Sequence, residues 1–69
     1  MLLPAIESFL KLHSMPCTKF GRLAAHDPRF VIDLRSGRIP RPETELRTRA
    51  WMAGYSARAA LENESNSNG

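Results

Sequence analysis

A chain of 69 residues, 42% hydrophobic and 25% charged with a net charge of +3, makes one domain at most, and at this size folding removes only about 60% of the unfolded chain's surface from water. These are ordinary globular values, and nothing in them asks for a collagenous, disordered or membrane class. The single cysteine, Cys17, excludes an intramolecular disulfide and the metal patterns built on paired cysteines, which points to a reducing, cytoplasmic setting.

The opening MLLPAIESFL is apolar, but it carries no basic leader, contains Glu7 and is too short to span a bilayer, so neither secretion nor membrane insertion is expected. Leu2, Leu3, Ile6, Phe9 and Leu10 recur at three- and four-residue steps, which predicts an amphipathic helix from Leu3 to about Ser14. Pro4 fits its first turn, and His13 near its end complements the helix dipole. Ser14, Met15 and Pro16 then break the pattern.

A second helix is predicted from Cys17 to about Ala25, with Phe20, Leu23 and Ala24 inward and Lys19 and Arg22 outward. Gly21 inside it implies the close approach of another helix. Asp27 followed by Pro28 is a helix start, because Asp accepts orphan backbone N–H groups and Pro suits the first helical position. The third helix is therefore expected from Pro28 to Ser36, with Gly37 in the left-handed position after it and Pro40 and Pro42 preventing continuation. On a wheel of about 100° per residue, Phe30, Val31 and Leu34 share one face while Arg29, Ile32, Asp33 and Ser36 share the opposite one.

Pro42, Glu43 and Glu45 suit the start of a fourth helix. Leu46, Thr48, Trp51, Met52 and Tyr55 would form its inner face, and an alanine-rich continuation reaches about Glu62, with Gly54 and Ser56 marking a kink or an end. One domain, 1–62, followed by a polar tail, 63–69, is the expected organisation.

Charge is unevenly placed. Between Lys19 and Arg41 stand six bases, Lys19, Arg22, Arg29, Arg35, Arg38 and Arg41, against Asp27 and Asp33, a net +4 in the middle of the chain. Such a stripe suits a polyanion.

The segment from Cys17 to Ser36 resembles the helix-turn-helix of lambda-repressor and Cro-like regulators of bacteria and phages. Phe20, Ala24, Val31 and Leu34 stand at the fourth, eighth, fifteenth and eighteenth positions of that motif, where apolar residues belong, and Gly21 stands at the fifth, where the two helices cross. More narrowly, FGRLAAHDPRFVIDLRSGRIPRPET is similar to very short bacterial proteins that join a Phe-Gly helix, an Asp-Pro capped helix, a Leu-Arg-x-Gly-Arg ending and a Pro-x-Thr helix start. The usual turn glycine at the ninth position is Ala25 here, and the usual apolar residue at the tenth is His26.

The resemblance implies an all-α, compact four- to five-helix bundle, lambda-repressor-like, with the third helix in the DNA major groove and the second across the backbone. Arg29 would then contact guanine, Ile32 a thymine methyl, and Asp33 and Ser36 cytosine or adenine edges, directly or through water. Cys17, Thr18 and Lys19 would meet phosphate at the start of the second helix, flanked by Arg35, Arg38 and Arg41. The expected protein is a small transcriptional regulator, a repressor of phage or mobile-element origin acting at the nucleoid. Its partner is double-stranded DNA, and a homodimer through the C-terminal helix would match a palindromic operator.

Catalysis is not expected, since only His13, His26 and Cys17 offer nucleophile or base chemistry. No metal, cofactor, small-molecule ligand or membrane is expected as a partner. The alternative is a helical protein-interaction module that presents Trp51, Met52 and Tyr55.

Overall fold

The computed structural model describes the backbone of residues 1–67 and the side chains of residues 1–62. Among the described residues the fold is all-α: α1 (Leu2–His13), α2 (Cys17–Ala25), α3 (Phe30–Arg35) and α4 (Pro42–Ser67), with no strand. Among the described residues no helix is long and apolar enough to cross a membrane. The side chains of the expected polar tail, 63–69, lie outside the described residues.

The core takes Leu2, Ile6, Phe9 and Leu10 from α1, Met15 from the first turn, Phe20 and Ala24 from α2, Phe30, Val31 and Leu34 from α3, and Met52 from α4. Phe20, Ile6 and Val31 are sealed from solvent, and their burial supplies about 1.5–3 kcal/mol each relative to exposure. Phe9 is the hub of an aromatic cluster, with ring centroids 5.5 Å from Phe20, 5.8 Å from Trp51 and 5.4 Å from Tyr55. His13 joins α1 to α4, its ring 4.9 Å from that of Tyr55 and its Nε2 hydrogen-bonded to Ser56 Oγ at 3.3 Å. Thr48, buried in α4, donates its hydroxyl to the Thr44 carbonyl at 2.7 Å, so no polar atom is stranded there.

The helix ends explain the turns. At the end of α1 the Met15 N–H donates to the Leu10 carbonyl and the Ser14 N–H to that of Lys11, with Ser14 left-handed at φ 49°. This is a Schellman motif, and its usual apolar contact is made by Leu10 and Met15, both buried. Met15 therefore belongs to the core, although in the sequence it is only part of a break.

Two inner-face expectations are corrected, and so are the expected break and end of the fourth helix. Leu23 is 47% exposed and Leu46 70% exposed, because α2 meets its neighbours only along the Phe20–Ala24 line and α4 only along Thr48, Trp51, Met52 and Tyr55. α4 passes through Gly54 and Ser56 without a break and extends beyond Glu62.

The third helix is also shorter than expected, Phe30–Arg35 rather than 28–36. Asp27 Oδ1 accepts the Arg29 N–H at 2.9 Å and the Asp27 carbonyl accepts the Phe30 N–H at 3.1 Å, so residues 27–30 form a tight turn before the first helical bond, from the Asp33 N–H to the Arg29 carbonyl. At the other end the Gly37 N–H donates to Leu34 and the Arg38 N–H to Asp33, a second Schellman motif that uses Gly37 at φ 105° and ends the helix at Arg35.

Candidate nucleic-acid interface

α2 and α3 pack against each other, and the turn between them is set by Gly21. Its carbonyl takes the N–H groups of both His26 and Asp27. A Cβ at this position would stand 2.2 Å from the Asp27 carbonyl oxygen and 3.2 Å from the Asp27 carbonyl carbon. The close approach expected at Gly21 is therefore that of the turn's own backbone rather than another helix. His26, at φ 55° and ψ 30°, carries the left-handed conformation one residue later than the position at which the resembled motif places its glycine. A histidine tolerates this region better than a β-branched residue.

This turn delivers α3 with Phe30, Val31 and Leu34 buried and its other side facing solvent. Arg29 and Ser36 are exposed, Ile32 is 39% exposed and Asp33 is half-buried, so the four expected base-reading residues do lie away from the core. They are not equally free. The Ser36 hydroxyl donates to the Ile32 carbonyl at 3.1 Å. Asp33 Oδ2 accepts from Arg38 Nη1 at 3.2 Å, and these two residues hold the same places in the α3 Schellman motif as Leu10 and Met15 hold in α1. The Asp33–Arg38 pair is thus the polar version of a capping contact, and of the four expected reading residues Arg29 and Ile32 are those whose side chains have no hydrogen-bond or ion-pair partner among the described residues.

Among the expected phosphate contacts, Thr18, Lys19, Arg38 and Arg41 are exposed and Cys17 is half-buried. Pro16 precedes α2 without a side-chain cap, which leaves the first-turn N–H groups of α2 open to an anion. Arg38 and Arg41 border a polar cleft together with Phe30 and Thr44, beside the end of α3 from which Arg29 departs.

Arg35 requires correction. Its guanidinium, expected to be free for phosphate, is clasped by Glu7 of α1, Nη2 to Oε1 at 2.7 Å and Nε to Oε2 at 3.0 Å, while its side chain stays 46% exposed. The hydrogen bond from Arg35 holds the Glu7 carboxyl below its ordinary range, and the same bond holds the guanidinium above its own. Glu7 carries no local signal in the sequence, because its partner lies 28 residues away.

Ion pairing among the described side chains is confined to Glu7–Arg35, Asp33–Arg38 and Glu45–Arg49. Both acids of the central segment are thereby occupied, Asp27 by the Arg29 N–H and Asp33 by Arg38. Lys19, Arg22, Arg29 and Arg41 face solvent with no carboxylate partner among the described residues. No group of three or more His, Cys, Asp or Glu side chains among these residues is arranged to hold a metal ion.

A second surface lies on α4. Leu23, Ala50, Trp51, Gly54, Tyr55 and Arg58 line an open apolar groove, and Leu46 and Leu61 are exposed nearby on the same helix, at 70% and 64%. Comparison of the chain with protein-family models, with curated proteins and with solved structures found no match.

Proposed function

We propose that this chain binds double-stranded DNA sequence-specifically and acts as a small transcriptional regulator, a repressor in a phage or mobile-element setting. In this reading the α2–turn–α3 unit is a helix-turn-helix, with α3 in the major groove and α2 across the backbone. The observation that carries it is the charge asymmetry just described: both acids of the 17–41 segment are held internally, while Lys19, Arg22, Arg29 and Arg41 are exposed with no carboxylate partner among the described residues, and the solvent side of α3 is exposed and partly apolar.

Arg29 stands at the entry to α3 and reads guanine, since the N-terminal residues of a recognition helix are those that reach base edges. Ile32, one turn on, meets a thymine methyl. Cys17, Thr18 and Lys19 offer backbone N–H groups and a cation to phosphate, and Arg41 meets the flanking strand while Arg38 beside it keeps Asp33 paired.

The groove on α4 supports a homodimer as the DNA-bound form, because a helix of six residues covers too few base pairs to specify an operator alone. The same groove also supports a second reading, in which it receives a different protein and DNA plays no part. Salt separates the two. Neutralising about four phosphates per protomer gives a log-log slope near −3.6 for duplex binding. An isotherm indifferent to salt, or a protein partner that duplex DNA does not displace, contradicts the DNA reading.

A further inference from the structure

α3 is about 9 Å long, too short to hold a direction through its own hydrogen bonds. Phe30, Val31 and Leu34 anchor it in the core on one side, against α1 and α2, which fixes its depth and its roll. Apolar packing is not directional, so the direction of so short a helix depends on ties at its two ends, and a change of direction would carry Arg29 and Ile32 across the bases they are to read. At its N-terminal end the turn over Gly21 supplies a fixed point, with backbone against backbone. At its C-terminal end the tie to another helix is Arg35, gripped by both oxygens of Glu7.

Glu7 is well placed for this task. It belongs to α1 beside Ile6, which is sealed from solvent, and within one turn of the buried Phe9 and Leu10, so its backbone is rigid. A forked guanidinium–carboxylate pair restricts angle as well as distance.

We propose that Glu7 is a positioning residue for DNA reading: through its two-bond grip on Arg35 it sets the direction of α3 and hence the placement of Arg29 and Ile32. The proposal rests on the DNA-binding reading above. Both side chains are nearly half exposed, 43% for Glu7 and 46% for Arg35. An exposed pair of this kind adds little to stability, so its effect is expected in discrimination between sequences, where reading groups tolerate displacements of only about 0.5 Å.

The test compares the full-length wild type, E7Q and the exchanged pair E7R/R35E by two measurements. The first needs no DNA: residual dipolar couplings of the α3 amides, referenced to those of α1, report the direction of the helix. The couplings of residues 30–35 are expected to shrink or reorient in E7Q and to return in E7R/R35E, with the thermal midpoint little changed in both. Unchanged couplings in E7Q overturn the proposal whether or not DNA is bound.

The second measurement is affinity for a duplex selected from random sequence and for its scrambled counterpart, at one salt concentration. E7Q is expected to lower the ratio of the two affinities about tenfold and the exchanged pair to restore it. If E7Q instead binds both duplexes more tightly, Arg35 is a phosphate ligand that Glu7 withholds, and the proposal is overturned. A wild type that prefers no duplex overturns the DNA reading, and the couplings still decide whether Glu7 orients α3.

Discussion

Three of the six residues of α3 are buried, whereas α4 runs for 26 residues and, among those with described side chains, buries only Thr48 and Met52. The short helix exists because its surroundings define it: a backbone crossing at Gly21, an Asp27 turn, a Schellman ending and a bridge to Glu7. The long one carries its own order through uninterrupted backbone hydrogen bonds and an i,i+4 pair, Glu45–Arg49 at 3.1 Å. Tertiary contacts can hold a segment that isolated helix formation would not, and a helix so held presents its free side in one orientation. That is what a reading element needs and what α4, with most of its surface exposed, does not supply.

The glycines test this contrast most sharply. Gly21→Ala forces a Cβ into the Asp27 backbone, which cannot swing aside like a side chain. A loss of about 2–3 kcal/mol is expected in a denaturant titration, large against the total stability of so small a domain. A neutral result would mean that the turn does not lie over α2. Gly54→Ala should have the opposite sign. Nothing stands within 4 Å of the added methyl, and replacing a mid-helix glycine by alanine is worth about 1 kcal/mol. A destabilised Gly54→Ala would contradict a continuous α4 and indicate a bend at that point.

The smallest effect concerns pH. The Glu7 carboxyl is held below its ordinary value of 4.5, chiefly by the hydrogen bond from Arg35. The folded state therefore binds its proton less readily than the unfolded chain, so the contribution of the bridge is present above the unfolded value and lost as pH falls through the lower folded one. Arg35, whose pKa is raised, stays charged throughout this window. Wild type and E7Q should accordingly converge in stability as the solution is acidified through that range, and curves that stay parallel would show that the bridge does not titrate with Glu7.

Much of this architecture was legible locally. Gly37 and the Phe30–Val31–Leu34 stripe announce an ending and a buried face through residues adjacent in the chain, whereas Asp27–Pro28, expected as cap and first helical residue, forms the turn before α3, whose N-cap is Arg29 with no side-chain bond. What the sequence concealed was decided partly by contacts at a distance and partly by how the helix ends close. Leu23 and Leu46 fit an inner stripe by periodicity, yet α2 and α4 have neighbours along only part of that stripe. Met15 reads as part of a break, yet the Schellman turn folds it onto Leu10. Arg35 reads as a free cation until Glu7 is brought beside it. The solvent-exposed face of α3 was visible on the wheel, but the engagement of Asp33 by Arg38 and of Ser36 by the Ile32 carbonyl was not, and it leaves Arg29 and Ile32 as the candidate readers on which the proposal rests.

The central claim is that the solvent face of α3 reads bases, with arginines beyond it meeting phosphate. It is tested most directly by measuring Arg29→Ala and Arg41→Ala on a duplex selected from random sequence and on a scrambled one. Arg29→Ala is expected to lose about 1–3 kcal/mol on the selected duplex and little on the scrambled one, while Arg41→Ala weakens both by similar amounts. Equal losses for Arg29→Ala on the two duplexes, or no preference for the selected duplex in the wild type, would contradict the account.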